Sequence, residues 1–571
     1  MGRVSGPLMT TEGNPPPETV AELVLRRAFD GGLGLLTATG SATHAQLVAG
    51  AATRAAWLAD RRRPGPFHVA LLLDNVAEHV LWLQAAALAG AVVVGANPTH
   101  RGDDLARDLA HTECQMLVTS LGHLPLVQGR DLGDGLGRVS GPGERVLVVD
   151  DDNYPGVLSP YEGTAAPDPA TAGVGPDSLG YLLFTSGTTG APKACRCSQG
   201  RMARIGAIVA QMFGLDGTDV CYLPMPLFHS NALMAGWAPA LAAGAACALP
   251  SGGRFSASGF LPDVRRFGAT YFNYVGKPLA YVLATPERPD DAQNPLVRAF
   301  GNEGGRGDVE RFAARFGCVV TDAYGSTEGG ATVSRTPDTP PGALGRAPEG
   351  TVVLDPATGR ECPPARFDDQ GRLVNAEDAI GELVSKGGGA GFEGYWRNDQ
   401  AERARLREGW YWTGDLAYRD EEGFFYFAGR DHDWLRVDGE NFAAAPVERI
   451  LERHPDVVVA AVYAVPDPIV GDQVMAALEL RGDAADFDPE AFAAFLLAQK
   501  DLGTKWAPRF LRLTGSLPAT ATNKVKKREL RAERWHGADP VWWRRQVGGP
   551  YVELEVDDAS SLDAVVADRP V

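Results

Sequence analysis

Residues 185–193 read Thr185-Ser-Gly-Thr-Thr-Gly-Ala-Pro-Lys193, and this stretch decides which fold and chemistry we expect. It follows directly on the apolar run 179–184, which predicts a buried strand. Glycine lets the backbone approach a ligand, hydroxyl and N–H groups donate to phosphate oxygens, and lysine adds charge. The spacing differs from GxxxxGK[ST], so a different kind of phosphate loop is predicted, with a turn of no chemical use as the alternative. The candidate phosphate ligands are Thr185, Ser186, Gly187, Thr188, Thr189, Gly190 and Lys193.

Upstream of this loop, short apolar runs alternate with helical stretches. The predicted strands are residues 68–73, 91–94, 116–119 and 146–149. Residues 77–88 between the first two predict a helix. Strands that alternate with helices predict layers of parallel α/β structure. Residues 151–176, rich in Pro, Gly and Asp, predict a surface connection.

After about Arg430 the pattern changes to that of a smaller α+β unit. Helices are predicted at residues 446–453 and 489–499, and strands at 457–465 and 474–480. We therefore expect one domain over residues 1–430 and a second over 431–571. The end of the chain, residues 551–571, is acidic, and its sequence does not decide whether it docks on the rest.

Composition narrows the classes of function. The chain of 571 residues is long enough for two or more domains. A formal net charge of −18 argues against nucleic-acid binding, which needs a basic surface. Only 8 of the 54 basic residues are Lys, and Lys524, Lys526 and Lys527 lie within four positions of one another. A lysine retained in so lysine-poor a chain is a strong candidate for chemistry.

Cysteine usage and hydropathy indicate the compartment. The seven Cys form no CxxC pair, which favours a reducing cytoplasm over a disulfide framework or a zinc site. The most apolar stretch, residues 232–249, contains Gly and Pro239. We predict that it is a buried helix and that the chain has no membrane span.

Further motifs follow the loop in order. Tyr324-Gly-Ser-Thr-Glu-Gly-Gly330 is followed by Tyr411-Trp-Thr-Gly-Asp415, then Gly429-Arg430, then residues 518–530 with Lys524 inside. Together with residues 185–193, these five motifs resemble the signatures of the adenylate-forming superfamily of acyl-CoA synthetases, luciferases and peptide-synthetase adenylation domains. The resemblance extends from about residue 20 to residue 535.

Within that superfamily the chain resembles most the fatty-acid-transport-protein or very-long-chain acyl-CoA synthetase branch. The resemblance lies in residues 255–258, 269–286, 301–302 and 429–441. Two residues depart from the branch: Glu303, where Gly is frequent, and Lys277, where an acidic residue is common.

The resemblance implies an α/β fold with a large N-terminal domain of layered subdomains and a small, mobile α+β C-terminal domain. It also implies that ATP, Mg²⁺ and coenzyme A are used. Loop 185–193 would hold the β- and γ-phosphates, Thr327 would contact the α-phosphate, and Glu328 would bind Mg²⁺. The expected nucleoside contacts are Gly301, Asn302, Glu303, Gly304, Tyr324, Gly325 and Ser326 around adenine, with Asp415 and Arg430 at the ribose.

Lys524 is the expected catalytic lysine of adenylate formation, because an ammonium suits the charge that develops between α-phosphate and carboxylate. The alternative is a solvated basic patch, which is how we interpret Lys526 and Lys527, with contacts to the phosphates of coenzyme A as a second interpretation of these two. His229 is expected near the substrate carboxylate, with a core histidine as the alternative. The acyl-pocket candidates, which equally fit plain core positions, are Phe228, Asn231, Trp237, Tyr274, Val275 and Gly276.

The resemblance also implies a second half-reaction. The C-terminal domain would swing about Asp431, His432 and Asp433, withdrawing Lys524. Gly439 would then let the pantetheine arm pass, and Arg436 would be delivered to the site.

The leading hypothesis is an ATP- and Mg²⁺-dependent acyl-CoA ligase for a carboxylic acid. A ligase that loads an acyl carrier protein is one alternative, and a nonenzymatic lipid-binding or uptake protein is another. The expected acid is a long-chain fatty acid or a bulky alicyclic, terpenoid or steroid-type carboxylate. If Lys277 lines the pocket, it would favour an acid with a second polar group. A homodimer is left open.

Overall fold

The computed structural model describes residues 18–100, 103–185, 192–304, 306–336, 338–340, 342–368, 373–389, 391–430, 434–437, 440–467, 471–499, 501–503, 505–520, 524–546 and 548–567. The strands up to Arg430 are β1 (Leu33–Thr37), β2 (Gly40–Thr43), β3 (His68–Leu72), β4 (Val92–Gly95), β5 (Met116–Thr119), β6 (Val146–Val148), β7 (Leu179–Thr185), β8 (Lys193–Ser198), β9 (Val220–Tyr222), β10 (Ala246–Ala248), β11 (Tyr271–Val275), β12 (Arg298–Asn302), β13 (Val319–Asp322), β14 (Thr351–Leu354), β15 (Gly381–Ser385), β16 (Leu406–Arg407), β17 (Trp410–Arg419) and β18 (Phe425–Arg430). The later strands are β19 (Trp434–Val437), β20 (Glu440–Ala443), β21 (Val457–Asp467), β22 (Gly471–Leu480), β23 (Phe510–Thr514), β24 (Val541–Arg544) and β25 (Tyr551–Glu553).

The helices connect and cover these strands. They are α1 (Val20–Leu25), α2 (His44–Arg61), α3 (Ala77–Ala89), α4 (Asp103–His111), α5 (Gly133–Leu136), α6 (Tyr154–Leu158), α7 (Gln199–Phe213), α8 (Ser230–Ala232), α9 (Ala238–Ala243), α10 (Ala257–Phe267), α11 (Pro278–Leu283), α12 (Arg306–Phe316), α13 (Ala376–Ala379), α14 (Asp399–Arg405), α15 (Ala444–Leu451), α16 (Pro489–Ala498), α17 (Lys527–Glu533) and α18 (Val556–Ala567). Short 3₁₀ turns occupy Leu124–Leu126, Ser159–Tyr161 and Ala484–Asp486, and Leu233–Trp237 forms a π-helical segment.

Two largely parallel sheets form the body of the molecule. Their strand orders are β13-β12-β11-β9-β10-β1-β2 and β6-β5-β3-β4-β7-β8, with antiparallel pairing at β1–β2 and β7–β8. Apolar side chains from both sheets and from α1, α2, α3, α7 and α9 share one core. This arrangement confirms the predicted layers of α/β structure.

A third, antiparallel sheet follows in the order β14-β15-β17-β16, with β18 beside β17. From Trp434 onward the chain forms a separate sheet in the order β20-β19-β22-β23-β24-β25, with β21 beside β22. This last sheet has its own apolar cores. The change of sheet therefore falls between Arg430 and Trp434; we call the chain from Trp434 onward the C-terminal unit.

Most predicted elements are confirmed with small shifts in their ends. β5 occupies the predicted residues 116–119, and α3 ends one residue later than predicted, at Ala89. The helix predicted over 446–453 runs instead from Ala444 to Leu451. None of the helices in the described part of the chain has both the length and the apolar composition needed to cross a bilayer.

Two predictions from apolar or polar composition were wrong in part. Residues 232–249 are not a single helix. The π-helical segment continues into α9, which is capped by Gly244 with a φ of 73°, and β10 follows. The surface connection 151–176 contains α6, whose Tyr154 is buried and donates a hydrogen bond to Glu78. An apolar run shows burial but does not separate helix from strand.

The acidic end of the chain docks on the C-terminal unit. Side chains of Leu554, Ala559 and Leu562 pack against the apolar core that includes Trp535 and Val541. Asp563, on the same helix, lies 2.8 Å from Nε2 of His536. The described part of the tail therefore forms β25 and α18 and packs on the rest of the C-terminal unit.

Candidate active site

The carboxyl ends of the two parallel sheets face a common cleft. β11, β12 and β13 end there in one sheet, and β7 ends there in the other. Side chains from α15 and from around Lys524 complete the lining, and the cleft has a volume of about 2680 Å³. Ligands of α/β proteins bind at this edge of their sheets.

Only the two ends of the predicted phosphate loop are described. Thr185 ends β7 and pairs in register with Lys193, which starts β8. Ser186, Gly187, Thr188, Thr189 and Gly190 lie outside the described residues. Burial and the nearby Arg405 guanidinium lower the pKa of Lys193, while the Glu328 carboxylate acts in the opposite direction. Two cations that repel each other here would both gain from a bound polyanion.

Glu328 is held in a buried polar cluster. It is 7% exposed, and the Tyr395 hydroxyl donates a 2.9 Å hydrogen bond to its Oε1. The guanidinium of Arg405, the last residue of α14, lies near the same Tyr395 side chain and donates a 3.2 Å hydrogen bond to the Trp412 carbonyl. A single carboxylate beside Lys193 fits a hard cation that is bound mainly by substrate phosphates. Our sequence reasoning missed Tyr395 and Arg405.

Thr327 is fixed from two directions. Its hydroxyl lies 2.6 Å from that of Ser230, the residue after His229. Arg201 on α7 donates a 2.7 Å hydrogen bond to the Thr327 carbonyl. The Thr327–Glu328 backbone is thereby positioned at the centre of the cleft.

The predicted nucleoside contacts also converge. The Tyr324 hydroxyl donates a 2.7 Å hydrogen bond to Oδ2 of Asp415. Asp415 on β17 is paired in register with Arg430 on β18, whose side chain lies outside the described residues. Gly325 is exposed, and Ser326 Oγ accepts a hydrogen bond from the Gly329 N–H. The tyrosine and the carboxylate thus form one hydrogen-bonded wall.

The opposite wall is the end of β12. Gly301 leaves no room for a side chain, since a Cβ there would lie 2.2 Å from the Tyr274 carbonyl oxygen. Asn302 donates a 2.5 Å hydrogen bond to the Ala323 carbonyl. Glu303 has a φ of 64°, a left-handed conformation that is strained for a residue with a Cβ.

Asp322, at the end of the neighbouring β13, accepts hydrogen bonds from Gly304 N at 2.7 Å and from the Tyr274 hydroxyl at 2.8 Å. Burial raises the pKa of Asp322 to about 7 in spite of these donors. Asp322 thereby stabilises the turn at residues 301–304 through its hydrogen bond with Gly304.

Lys524 reaches this wall from the C-terminal unit. Its Nζ lies 2.7 Å from Oε1 of Glu303, a residue 221 positions away in the sequence. The two neighbouring lysines, for which the sequence predicts solvated side chains, form ion pairs. Lys526 pairs with Glu529 at 3.0 Å and Lys527 with Glu448 at 2.8 Å.

His229 lies beside Phe228, with ring centroids 4.7 Å apart. Burial, with further contributions from Lys524 and His100, lowers its pKa to about 3. The imidazole is therefore neutral at physiological pH.

The acyl-pocket candidates divide into two groups. Phe228, Asn231, Val275 and Gly276 line the cleft. Trp237 packs in the core against Tyr181, and Tyr274 is fully buried with its hydroxyl on Asp322, so the interpretation of these two rings as pocket walls was wrong. Cleft-lining apolar side chains that we did not predict are Ile205, Val209, Met234 and Phe300.

Lys277 does not offer a free ammonium to a substrate. Its Nζ lies 2.5 Å from Oε1 of Glu452 in the C-terminal unit. The hypothesis that Lys277 recognises a second polar group of the acid is therefore not supported.

The residues predicted for a second half-reaction are mostly not described. Asp431, His432, Asp433 and Gly439 lie outside the described residues. Arg436 lies within β19, opposite Asn441 of β20, and its side chain is also not described.

Two family models match the chain. The model described as AMP-binding enzyme matches residues 25–396, and that described as AMP-binding enzyme C-terminal domain matches residues 446–524. Among curated proteins, the chain is 52% identical over 548 residues to steroid-22-oyl-CoA synthetase of Rhodococcus jostii (strain RHA1), covering 95% of this chain and 96% of that protein. It is 46% identical over 525 residues to medium/long-chain-fatty-acid–CoA ligase FadD17 of Mycobacterium marinum, covering 92% and 98%.

Solved structures show the same fold. The anthranilate CoA ligase AuaEII in complex with anthranoyl-AMP superposes with a TM-score of 0.74 at 23% identity, covering 92% of this chain and 98% of that one. The amide bond synthetase McbA of Marinactinospora thermotolerans gives a TM-score of 0.70 at 26% identity, covering 90% and 98%.

Proposed function

The chain belongs to the AMP-binding enzyme family, and from this premise we propose that it activates a fatty or steroid-type carboxylic acid as its coenzyme A thioester. It is an AMP-forming acid–thiol ligase that uses ATP, Mg²⁺ and coenzyme A. A carboxylate oxygen attacks the α-phosphorus of ATP, which gives acyl-AMP and releases pyrophosphate. The thiol of coenzyme A then attacks the acyl carbonyl and AMP leaves.

The observation that carries the proposal is that Lys524 meets Glu303 on the β12 wall of the cleft, and Thr327 and Glu328 line the same cleft. Attack of one anion on another requires neutralised charge and fixed alignment. The Lys524 ammonium, held 2.7 Å from a carboxylate of that wall, stands where a substrate carboxylate and the α-phosphate would meet. We therefore assign it the stabilisation of the charge that develops during adenylate formation.

The remaining residues of the cleft are proposed to hold the nucleotide. Thr185 and Lys193 would contact the β- and γ-phosphates together with the rest of their loop, and Thr327 the α-phosphate. Glu328 would hold Mg²⁺, which neutralises the polyphosphate when it is bound. Asp415 would accept hydrogen bonds from both ribose hydroxyls, since a carboxylate has acceptor sites beyond the one that Tyr324 occupies.

The adenine is proposed to lie between Tyr324 and the turn at residues 301–304. Gly301 supports this assignment, because a side chain there would collide with Tyr274 of β11 and displace the turn from its described position. Gly325 and Ser326 would follow the edge of the same site, and Arg430 would support the ribose from β18.

We further propose that the chain divides into domains at residues 1–430 and 431–571. The separate sheet from Trp434 onward supports this division. In the described arrangement Lys524 faces the cleft, which corresponds to the adenylate-forming step. For the thioester step the C-terminal domain would turn about residues 431–433, withdraw Lys524 and bring Arg436 and Gly439 to the cleft.

The acid is proposed to lie against the apolar lining supplied by α7 and the π-helical segment. Ile205, Val209 and Met234 give that lining, and Phe228 with the neutral His229 closes it near the reacting carboxylate. A neutral imidazole does not compete with Lys524 for the substrate anion. The named relatives, a steroid-acyl and a medium/long-chain fatty-acyl ligase, support an apolar acid.

We also propose a cytoplasmic location, supported by seven cysteines that are all free thiols, six of them buried. Assembly as a homodimer is a separate expectation, which sedimentation of the purified protein would test.

The experiment is carboxylate-dependent ATP–pyrophosphate exchange followed by thioester formation with coenzyme A, over a panel of straight-chain and polycyclic acids. Exchange and acyl-CoA formation with apolar acids are expected. Absence of both across the panel would rule out the ligase, and exchange without a coenzyme A product would favour transfer to a carrier protein.

A further inference from the structure

We propose that Lys277 is a positioning residue for acyl-adenylate formation: its ion pair with Glu452 holds the C-terminal domain in the orientation that places Lys524 in the cleft. The inference rests on the proposed ligase function and adds to it a contact between two side chains to which we assign no part in the reaction.

The pair joins two remote parts of the chain. Lys277 precedes α11 at the end of β11, and Glu452 follows α15 directly, 175 positions later. Nζ and Oε1 are 2.5 Å apart, and the two side chains are only 20% and 17% exposed. Removing one partner of so shielded a pair leaves the other charge uncompensated, which makes its geometry costly to break.

Other charges keep Lys277 protonated and extend the contact towards Lys524. Burial alone would lower the pKa of Lys277, but Glu452, followed by Glu448 and Asp308, raises it above its ordinary value. Glu448 in turn pairs with Lys527 at 2.8 Å, and Lys527 begins α17 three residues after Lys524. The carboxylates on and after α15 therefore connect Lys277 to the segment that carries the catalytic lysine.

An apolar contact flanks the ion pair. Tyr281 lies one helical turn after Lys277 and packs against the apolar core of the C-terminal domain that includes Val459 and Tyr463. α11 and β21 are in contact along this face. The ion pair and the ring together form one docking surface for the C-terminal domain on α11.

Among the described residues, the ion pair between Lys524 and Glu303 also joins the domains, but it cannot serve this purpose during catalysis. Glu303 binds the Lys524 ammonium itself, so a substrate carboxylate and the α-phosphate compete with Glu303 for it. The Lys277–Glu452 pair involves no group with a part in the reaction and can persist with substrates bound. It must break when the domain turns for the thioester step, so it favours the first half-reaction over the second.

The test compares the two half-reactions in Lys277→Met, Lys277→Glu, Glu452→Lys and the double variant Lys277→Glu/Glu452→Lys. Lys277→Met should lower ATP–pyrophosphate exchange about tenfold, and Lys277→Glu, which faces Glu452 and Glu448, by more. Thioester formation from supplied acyl-adenylate should stay within about twofold of wild type. The double variant should recover exchange to within about threefold, because the pair is restored with its charges reversed.

Lys386→Glu is the matched control, since Lys386 lies over Trp410 in the third sheet, away from α11. It should leave both half-reactions unchanged. Thermal unfolding of each variant shows whether it is folded, and Lys277→Met keeps the test usable if Lys277→Glu is not.

Equal loss of both half-reactions in Lys277→Met, or a double variant no better than the single ones, would overturn the inference. So would wild-type exchange in a folded Lys277→Glu variant. Absence of exchange in the wild-type protein would instead overturn the proposed function, so the two failures are distinguishable.

Discussion

Replacing Tyr395 by Phe should weaken Mg²⁺-dependent adenylate formation while the fold is kept. The change removes only the hydroxyl that donates 2.9 Å to Oε1 of Glu328. The ring and its edge contact with Phe392, at 5.1 Å between centroids, remain. A variant with an intact core therefore reports on the contacts of this hydroxyl, which are its hydrogen bond to Glu328 and its approach to Arg405.

The size of the effect follows from the charge on the acceptor. A hydrogen bond to a charged group contributes about 1.5–3 kcal/mol, and 1.4 kcal/mol is about a factor of ten. Because Glu328 is 7% exposed, water does not easily replace the lost donor. We expect ATP–pyrophosphate exchange to fall about 10- to 100-fold in kcat/KM for MgATP, with a higher Mg²⁺ requirement.

The assay is exchange measured over a Mg²⁺ titration, with Tyr181→Phe as the matched control. The Tyr181 hydroxyl is buried and has no hydrogen-bond partner among the described residues, so its removal should change neither rate nor Mg²⁺ dependence. An unchanged Mg²⁺ titration for Tyr395→Phe, or the same fall in both variants, would refute the role of Tyr395 in orienting Glu328.

Three further predictions concern the cleft. Lys524→Ala should lower exchange at least about 100-fold and spare thioester formation from supplied acyl-adenylate, whereas Lys526→Ala should keep both; equal loss of both steps would contradict the role of Lys524. Arg405→Met should raise the KM for ATP in exchange about tenfold, since it removes a cation beside the phosphate loop and a partner of Tyr395; an unchanged KM would remove Arg405 from the site. The folded-state pKa of His229 is lowered to about 3, so this imidazole stays neutral in the folded protein. In the unfolded chain it takes up a proton below about pH 6.5, so the free energy of unfolding falls as the pH drops from about 6.5 towards 3. Between pH 7.5 and pH 5 the unfolding temperature of wild type should therefore fall further than that of His229→Gln, and parallel curves would show that His229 is not shielded.

The sequence predicts well those elements of the fold whose type is set by residues close together along the chain. The strands at residues 116–119 and 179–184 and the helix at 77–88 are marked by their own apolar pattern and were confirmed almost to the residue. Composition misled us where it does not distinguish element types, as in residues 232–249. Gly244, a glycine past the last helical residue, was the available sign that the helix ends there.

The parts of the site that escaped the sequence depend on remote residues. Tyr395 and Glu328 are 67 positions apart, and Lys277 and Glu452 are 175 apart, so neither pair has a local pattern. Aromatic residue type indicates burial without saying what a ring faces, which is why the sequence left Trp237 a candidate for both the pocket and the core, where it lies. The motif residues themselves could be predicted, because each motif is a short run of residues with a fixed spacing.

The most direct measurement of the central claim follows the oxygen of the acid. A carboxylic acid labelled with ¹⁸O in its carboxylate is incubated with the enzyme, MgATP and coenzyme A, and the products are analysed by mass spectrometry. If the carboxylate attacks the α-phosphorus and the thiol then displaces AMP, one ¹⁸O atom must appear in AMP and none in pyrophosphate. Label in inorganic phosphate together with release of ADP, or AMP without label, would contradict activation through an acyl-adenylate.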